Sequence, residues 1–201
     1  DGTLLKSPEG AKGKGQGPET PEAKANQSVM DDVKEKLKGN PTRTPAEIGE
    51  AARATSAETQ TALDQNAARS EEVGTKIKDK EKSKEALPGK IQMAEAEHKK
   101  LQEAKAPPDE IQKATDAVTA LKAEQAALPN DLQSLKQEQT KLKTDGEALQ
   151  KKIEAANNLA KDMDEADVLF KKSVKALEGR FGGRKIEARI DMKEGQTVLQ
   201  P

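Results

Sequence analysis

The sequence predicts an all-α (mainly) fold, drawn out into an elongated antiparallel α-helical hairpin or coiled coil with a flexible N-terminal tail and a short C-terminal β-hairpin. Three observations carry that expectation. First, apolar residues recur at alternating spacings of three and four through the second half of the chain. Ala114, Leu121, Leu128, Leu135, Leu142, Leu149, Ala156, Met163, Phe170 and Leu177 occupy heptad d positions, and Ile111, Val118, Leu132, Ile153, Ala160 and Val174 fill most of the a row. That spacing keeps one stripe of a helix turned toward a partner helix. Second, a weaker stripe of the same kind precedes it, through Leu63, Ile77, Ile91 and Leu101, and Ala106-Pro107-Pro108-Asp109 separates the two. Third, the 201 residues are 32% hydrophobic, 35% charged and 1% aromatic. Aromatic side chains supply much of the buried area in compact domains, so this composition favours a thin core spread along a rod.

Taken in order, residues 1–27 are mostly Gly, Pro, Lys and Glu with little to bury, and they read as a flexible tail. The stretch 10–17 is rich in Gly and Lys, as phosphate-binding loops are. It lacks the Gly-Lys-Ser/Thr, the preceding strand and the following helix that such a loop requires. Residues 28–39 read as a short amphipathic helix. Ser28 and Asp31 make a start like a capping box, Val29, Met30, Val33 and Leu37 line one side, and Gly39-Asn40-Pro41 stops it.

The hairpin spans residues 44–178. Thr44-Pro45-Ala46-Glu47 is the sharpest helix start in the chain, with Thr as N-cap, Pro at N1 and Glu at N3. This first arm runs to about Ala104, with an interruption expected at Leu87-Pro88-Gly89. The tip falls at 105–109, where Pro108, Asp109 and Glu110 suit the first turn of a new helix. The second arm has Pro129 as its interior breaker and ends near Gly179. Residues 182–201 change period. Ile186, Ala188, Ile190 and Met192 alternate with charged residues, and Lys193-Glu194-Gly195-Gln196 turns the chain toward Thr197-Val198-Leu199. Gly182 and Gly183 give that segment its hinge. A lone strand pair is marginal in water, so this one needs another sheet or chain.

The heptad frames predict a register. Placing Leu101 against Ile111 in an antiparallel pair brings Ala94 to Val118, Ile91 to Leu121, Ile77 to Leu135 and Leu63 to Leu149. The flanking charges then meet with opposite signs: Lys90 with Glu124, Lys76 with Glu138 and Arg69 with Asp145 on the g side, Glu95 with Lys122 and Glu81 with Lys136 on the e side. Such pairs specify orientation more than they add stability. Pro88 and Pro129 fall at nearly one height. A parallel homodimer of the second arm, pairing Asp131 with Lys136 and Glu138 with Lys143 of another copy, is the competing arrangement.

Chemistry-bearing patterns are sparse. With no cysteine, the sequence excludes disulfides, thiol catalysis and zinc–thiolate sites. His98 is the only histidine and sits on the seam, without a nucleophile and orienting partner beside it. The acidic run Asp162-Met163-Asp164-Glu165 reads as a solvated face. A net charge of -1 and the lack of aromatics for base stacking speak against nucleic acid as a partner. Arg180, Arg184, Lys185 and Arg189 form a compact basic cluster that suits an acidic partner or protects a strand edge. No apolar run has the length of a membrane span, no signal peptide is read, and the compartment stays open.

The function expected is therefore non-enzymatic: a structural or assembly protein whose hairpin docks into a larger multi-subunit complex, such as a virion or secretion-apparatus component, or into a homo-oligomer. The alternative is a coiled-coil module of a secreted translocator or effector. No catalytic, cofactor or metal site is expected. The partner-binding residues expected are Leu128, Leu132 and Leu135, because Lys80 and Lys84 lie opposite them on the seam and cover them poorly, together with Ile186, Ile190 and Met192 of the terminal strand, which offers β-addition.

Overall fold

The computed structural model describes residues 20–38, 42–183, 185, 187–191 and 197–200, and it is mainly α-helical. Its elements are α1 (Pro21–Lys36), β1 (Thr42–Arg43), α2 (Pro45–Glu103), α3 (Pro108–Arg180), β2 (Glu187–Asp191) and β3 (Thr197–Gln200). At about 1.5 Å per residue, the 59 residues of α2 reach about 90 Å and the 73 of α3 about 110 Å. No helix among the described residues is long and apolar enough to cross a membrane.

Each helix start is written in its first residues. Thr20 caps α1, its hydroxyl accepting from the Ala23 N–H at 3.2 Å, and Pro21 and Glu22 fill the first turn. This start lies well ahead of Ser28, so residues 21–27 are helical rather than tail; residues 1–19 and 39–41 lie outside the described residues. Thr44 caps α2 in the same way. The Glu47 N–H donates to the Thr44 hydroxyl at 3.3 Å, and the Thr44 N–H donates back to the Glu47 carboxylate at 2.8 Å. The tip closes through Lys105, whose φ of 55° is left-handed, while the Ala106 N–H reaches back to the Leu101 carbonyl at 3.0 Å. At the far end of α3 the same bond pattern uses glycine. Gly182 and Gly183 have φ of 69° and 79°, and the Gly183 N–H donates to the Glu178 carbonyl at 2.8 Å.

α2 and α3 run side by side in opposite directions. Gly146 sits against Asn66, whose Oδ1 would lie 3.1 Å from an added Cβ, and Gly49 sits against Met163, whose Cβ would lie at 3.3 Å. Both pairs share the residue-number sum of the Leu101–Ile111 layer, so one register holds from the tip to the start of α2. On the e flank, Lys136 meets Glu81 at 2.8 Å and Lys122 meets Glu95 at 2.7 Å. On the g flank the contacts differ from that layering. Arg69 takes Glu138 at 2.9 Å rather than Asp145, and Lys76 takes Glu72 of its own helix at 2.6 Å. Long exposed side chains choose among several acids at little cost, whereas packed seam residues cannot.

The core is continuous in direction but changes in kind. Near the start of α2, three helices meet: Val29 and Val33 of α1 close over Ile48, Ala51 and Ala52 of α2 and Ala156 and Ala160 of α3. Ala25, Val29 and Val33 are spaced by four, which turns them to one face of α1. Small residues let the long helices approach closely, and the valines fill what remains. Farther along, two helices pack alone, with Val73, Ile77 and Leu132 buried and Leu135 and Leu142 packed against them. Two buried hydroxyls are satisfied within α2, Thr55 by the Ala51 carbonyl at 3.0 Å and Thr59 by the Thr55 carbonyl at 2.7 Å.

Neither interior proline ends its helix. α2 passes through Pro88 and α3 through Pro129, so the interruption expected at Leu87-Pro88-Gly89 does not occur. Leu87 at 2% exposed, Leu128 at 1% and Ile91 at 8% are buried beside the prolines. Burying such side chains contributes about 1.5–3 kcal/mol each, enough to offset an interior proline's cost of about 3 kcal/mol.

The strands form one antiparallel sheet of order β1-β2-β3. Arg43 pairs with Ile190 and Thr42 with Asp191 on one side of β2; Ala188 pairs with Leu199 and Arg189 with Val198 on the other. The segment between α1 and α2 thus pairs with β2.

Leu128→Ala should lower stability by about 2–5 kcal/mol, because it empties a fully enclosed position. Met93→Ala, at a residue 75% exposed, should stay within about 0.5 kcal/mol. Urea unfolding of the two variants beside the parent measures both.

Candidate functional site

The expected docking patch is a core. Leu128 and Leu132 are buried within the chain, and Leu135 is half-buried against the Val73–Ile77–Leu132 cluster. The premise of poor cover fails for two physical reasons. A heptad layer considers only the residue directly opposite, but Val73 and Ile77 of neighbouring layers pack in one cluster with Leu132. Lys80 does not merely snorkel either: its ammonium donates to Asp131 at 2.7 Å, which holds its stem across the seam. The hydrogen bond that Lys80 donates to Asp131, then the charge of Asp131, pushes the Lys80 pKa up. Lys84 stays exposed. These leucines are therefore committed to the α2–α3 pair. Of the terminal positions, Ile190 lies in β2, paired on one side with Arg43 and on the other with Thr197, while Ile186 and Met192 lie outside the described residues.

The patterns weighed for chemistry also have structural work to do. The His98 Nε2 lies 3.1 Å from the Thr115 hydroxyl of α3 and 3.3 Å from the Gln102 amide, so the histidine ties the two helices near the tip. In the acidic run, Met163 packs on the three-helix core and Asp164 accepts from Arg53 at 3.0 Å. Among the described residues no group of three or more His, Asp or Glu is placed to hold a metal ion.

Two features were not legible in the sequence. The first is a groove of about 800 Å³ where α1 begins, lined by Pro21, Ala25 and Ser28 of α1, Ala62 and Asn66 of α2 and Leu149 of α3. Its rim lysines are engaged, Lys151 with Glu22 at 2.9 Å and Lys152 with Asp32 at 2.7 Å. The Lys151 hydrogen bond holds the Glu22 carboxyl below its ordinary pKa. The lining joins apolar side chains such as Ala25, Ala62 and Leu149 to the polar Ser28, Gln65 and Asp145.

The second is the junction of α1, β1 and α2. Arg43 donates through Nη2 to the Leu37 carbonyl at 2.6 Å, anchoring the end of α1, while its Nε is buried without a hydrogen-bond partner among the described residues. Glu47 is held below the ordinary carboxylate range, first by the Thr44 N–H and then, against the opposing effect of burial, by the Thr44 hydroxyl and the charges of Arg189 and Arg43. The helix cap of α2 thus also faces a cation from β1 and one from β2. A two-residue strand has no periodicity to read, so only the Thr-Pro-Ala-Glu cap could have pointed here.

No protein-family model matches the chain, and neither a curated protein nor a solved structure matches it.

Three outcomes are expected at these positions. Oxidation of Ile77→Cys/Leu135→Cys should form a disulfide within one chain, seen as a faster-migrating monomer on a non-reducing gel; a covalent dimer alone would favour the parallel arrangement. Thr44→Ala should cost about 1 kcal/mol. Since Glu47 has a lower pKa folded than unfolded, its contribution is present at neutral pH and lost as pH falls through its lowered value, below the usual carboxylate value of about 4. Glu47→Gln should therefore destabilise the protein at pH 7 and lose most of that effect in acid, as read from urea midpoints across the range.

Proposed function

We propose that this chain is a non-enzymatic structural protein, an antiparallel coiled-coil hairpin that acts as a spacer in a larger protein assembly. The observation that supports this reading is the single register kept from the tip to the start of α2. Side chains along about 90 Å of paired helix are used to hold two helices in one alignment. The three-helix section and the sheet lie together at the base, and the closed turn at Lys105 forms the tip. A long pair with distinct ends sets a distance between whatever each end contacts.

Several further features favour the base as the attached end. Val168 and Leu169, 67% and 65% exposed, and Phe181, 62% exposed, lie on the part of α3 that extends past the start of α2 and just after it. β3 forms an outer strand of the sheet among the described residues, and edge strands accept further strands readily. The terminal segment that includes Ile190 therefore stays in this reading as partner-binding, whereas Leu128, Leu132 and Leu135 leave it.

The test is a matched deletion. Removing residues 91–97 together with 115–121 takes one heptad from each helix and preserves every remaining layer. The longest dimension from small-angle scattering should fall by about 10 Å with helix content per residue unchanged. Incorporation into the native assembly should then fail or change in spacing, although both ends are intact. Normal incorporation at unchanged spacing would sink the spacer reading.

A further inference from the structure

The e flank of the paired helices repeats by heptads. Glu81 stands with Lys136, Pro88 with Pro129, and Glu95 with Lys122; the first and last are ion pairs at 2.8 and 2.7 Å. All three share one residue-number sum, so the two prolines occupy the level between two salt bridges, on the same flank of both helices.

Several kinds of weakness coincide there. Pro88 has no N–H to donate to the Lys84 carbonyl, and Pro129 has none for the Gln125 carbonyl, so each helix lacks a bond at the same height. Lys84 and Gln125, which the heptad pattern places on the seam, are exposed instead. Gly89 follows Pro88, and nothing lies within 4 Å of the Cβ it lacks. Pro129 and Lys84 border an opening of about 610 Å³ on the proline flank, yet the seam itself stays closed at this level, because Leu87 and Leu128, the residues just before the prolines, are 2% and 1% exposed. A proline ring clashes with the carbonyl of the preceding turn, so a helix bends away from the side that carries it. With both rings on one flank, both helices bend in one direction. That direction is the g flank, where Lys80, Asp131 and Leu135 line a second opening, of about 540 Å³, into which the helices can move.

We propose that Pro88 and Pro129 form a double hinge, about which the tip arm of residues 89–128 swings in one plane against the base, with Leu87 and Leu128 as the buried pivot. A single interior proline would let its helix bend against a straight partner and break the layers. Two at one height let the pair bend as a unit, so the layers on either side keep their contacts. The spacer then has a fixed length below the hinge and a steerable arm above it, a property that stands whether or not the assembly role does.

The chain has no cysteine, so spin labels on introduced cysteines report single distances. Lys113→Cys/Lys143→Cys spans Pro129 on α3, and Gln133→Cys/Lys161→Cys spans a similar length of the same helix, about 40–45 Å, without a proline; all four positions are exposed. Pulsed electron–electron dipolar spectroscopy should give a distance distribution about twice as broad across the hinge as in the control pair. Pro88→Ala/Pro129→Ala, which restores both backbone donors with the strongest helix former, should narrow it to the control width and lengthen its mean. Equal widths in the parent would overturn the hinge. So would a broad distribution that survives loss of both prolines.

Discussion

Everything in this fold depends on a thin layer of side chains between α2 and α3. Two helices alone enclose little volume, so each buried position has a small set of partners and no deep interior to share. That is why the register persists over such a length. A slip by one residue would expose Val73, Ile77 and Leu132 together and drive Asn66 and Gln139 into apolar layers. Polar and small residues in the seam act against alternatives: Asn66 fits across from Gly146 because the glycine leaves room for its amide.

The same constraint explains why the base carries a third helix. There the seam is built from Gly49, Ala51, Ala52, Ala156 and Ala160, which bring the helices close but bury little area. α1 supplies that area through Val29 and Val33, and it is fastened at its edges by Lys36 to Glu58 at 2.6 Å and by Lys152 to Asp32 at 2.7 Å. Arg43 completes the fastening by joining the end of α1 to β1 and, through the charge of Glu47, to the cap of α2. The packing therefore thins from three helices at the base to two helices beyond it.

Polar side chains follow this gradient. Near the tip, His98 and Thr115 bridge the helices with hydrogen bonds where apolar cover thins. In the middle, Lys80 uses Asp131 to cross a seam position that a leucine would otherwise fill. Such contacts add specificity of alignment more than stability, because exposed charges keep most of their hydration.

The sequence by itself determined the helical class, the start of α2 at Thr44-Pro45, the turn at Pro107-Pro108, and the facing charges Glu81 with Lys136 and Glu95 with Lys122. These are local or periodic signals: caps act on the next three residues, and heptads repeat wherever a stripe is buried. The start of α1 was also legible, since Thr20-Pro21-Glu22 repeats the grammar of Thr44-Pro45, but glycine-rich composition upstream masks it. What only the tertiary structure decided is how neighbouring layers share space. Leu128 and Leu132 look uncovered when each heptad position is matched to a single opposite residue; both are buried, Leu132 in one cluster with Val73 and Ile77 of other layers while Asp131 draws Lys80 across. It also decided that α3 and α2 hold their course through Pro129 and Pro88, and that Thr42 and Arg43 become a strand beside β2. Burial on a partner and pairing across more than a hundred residues leave no local pattern, so no reading along the chain could supply them.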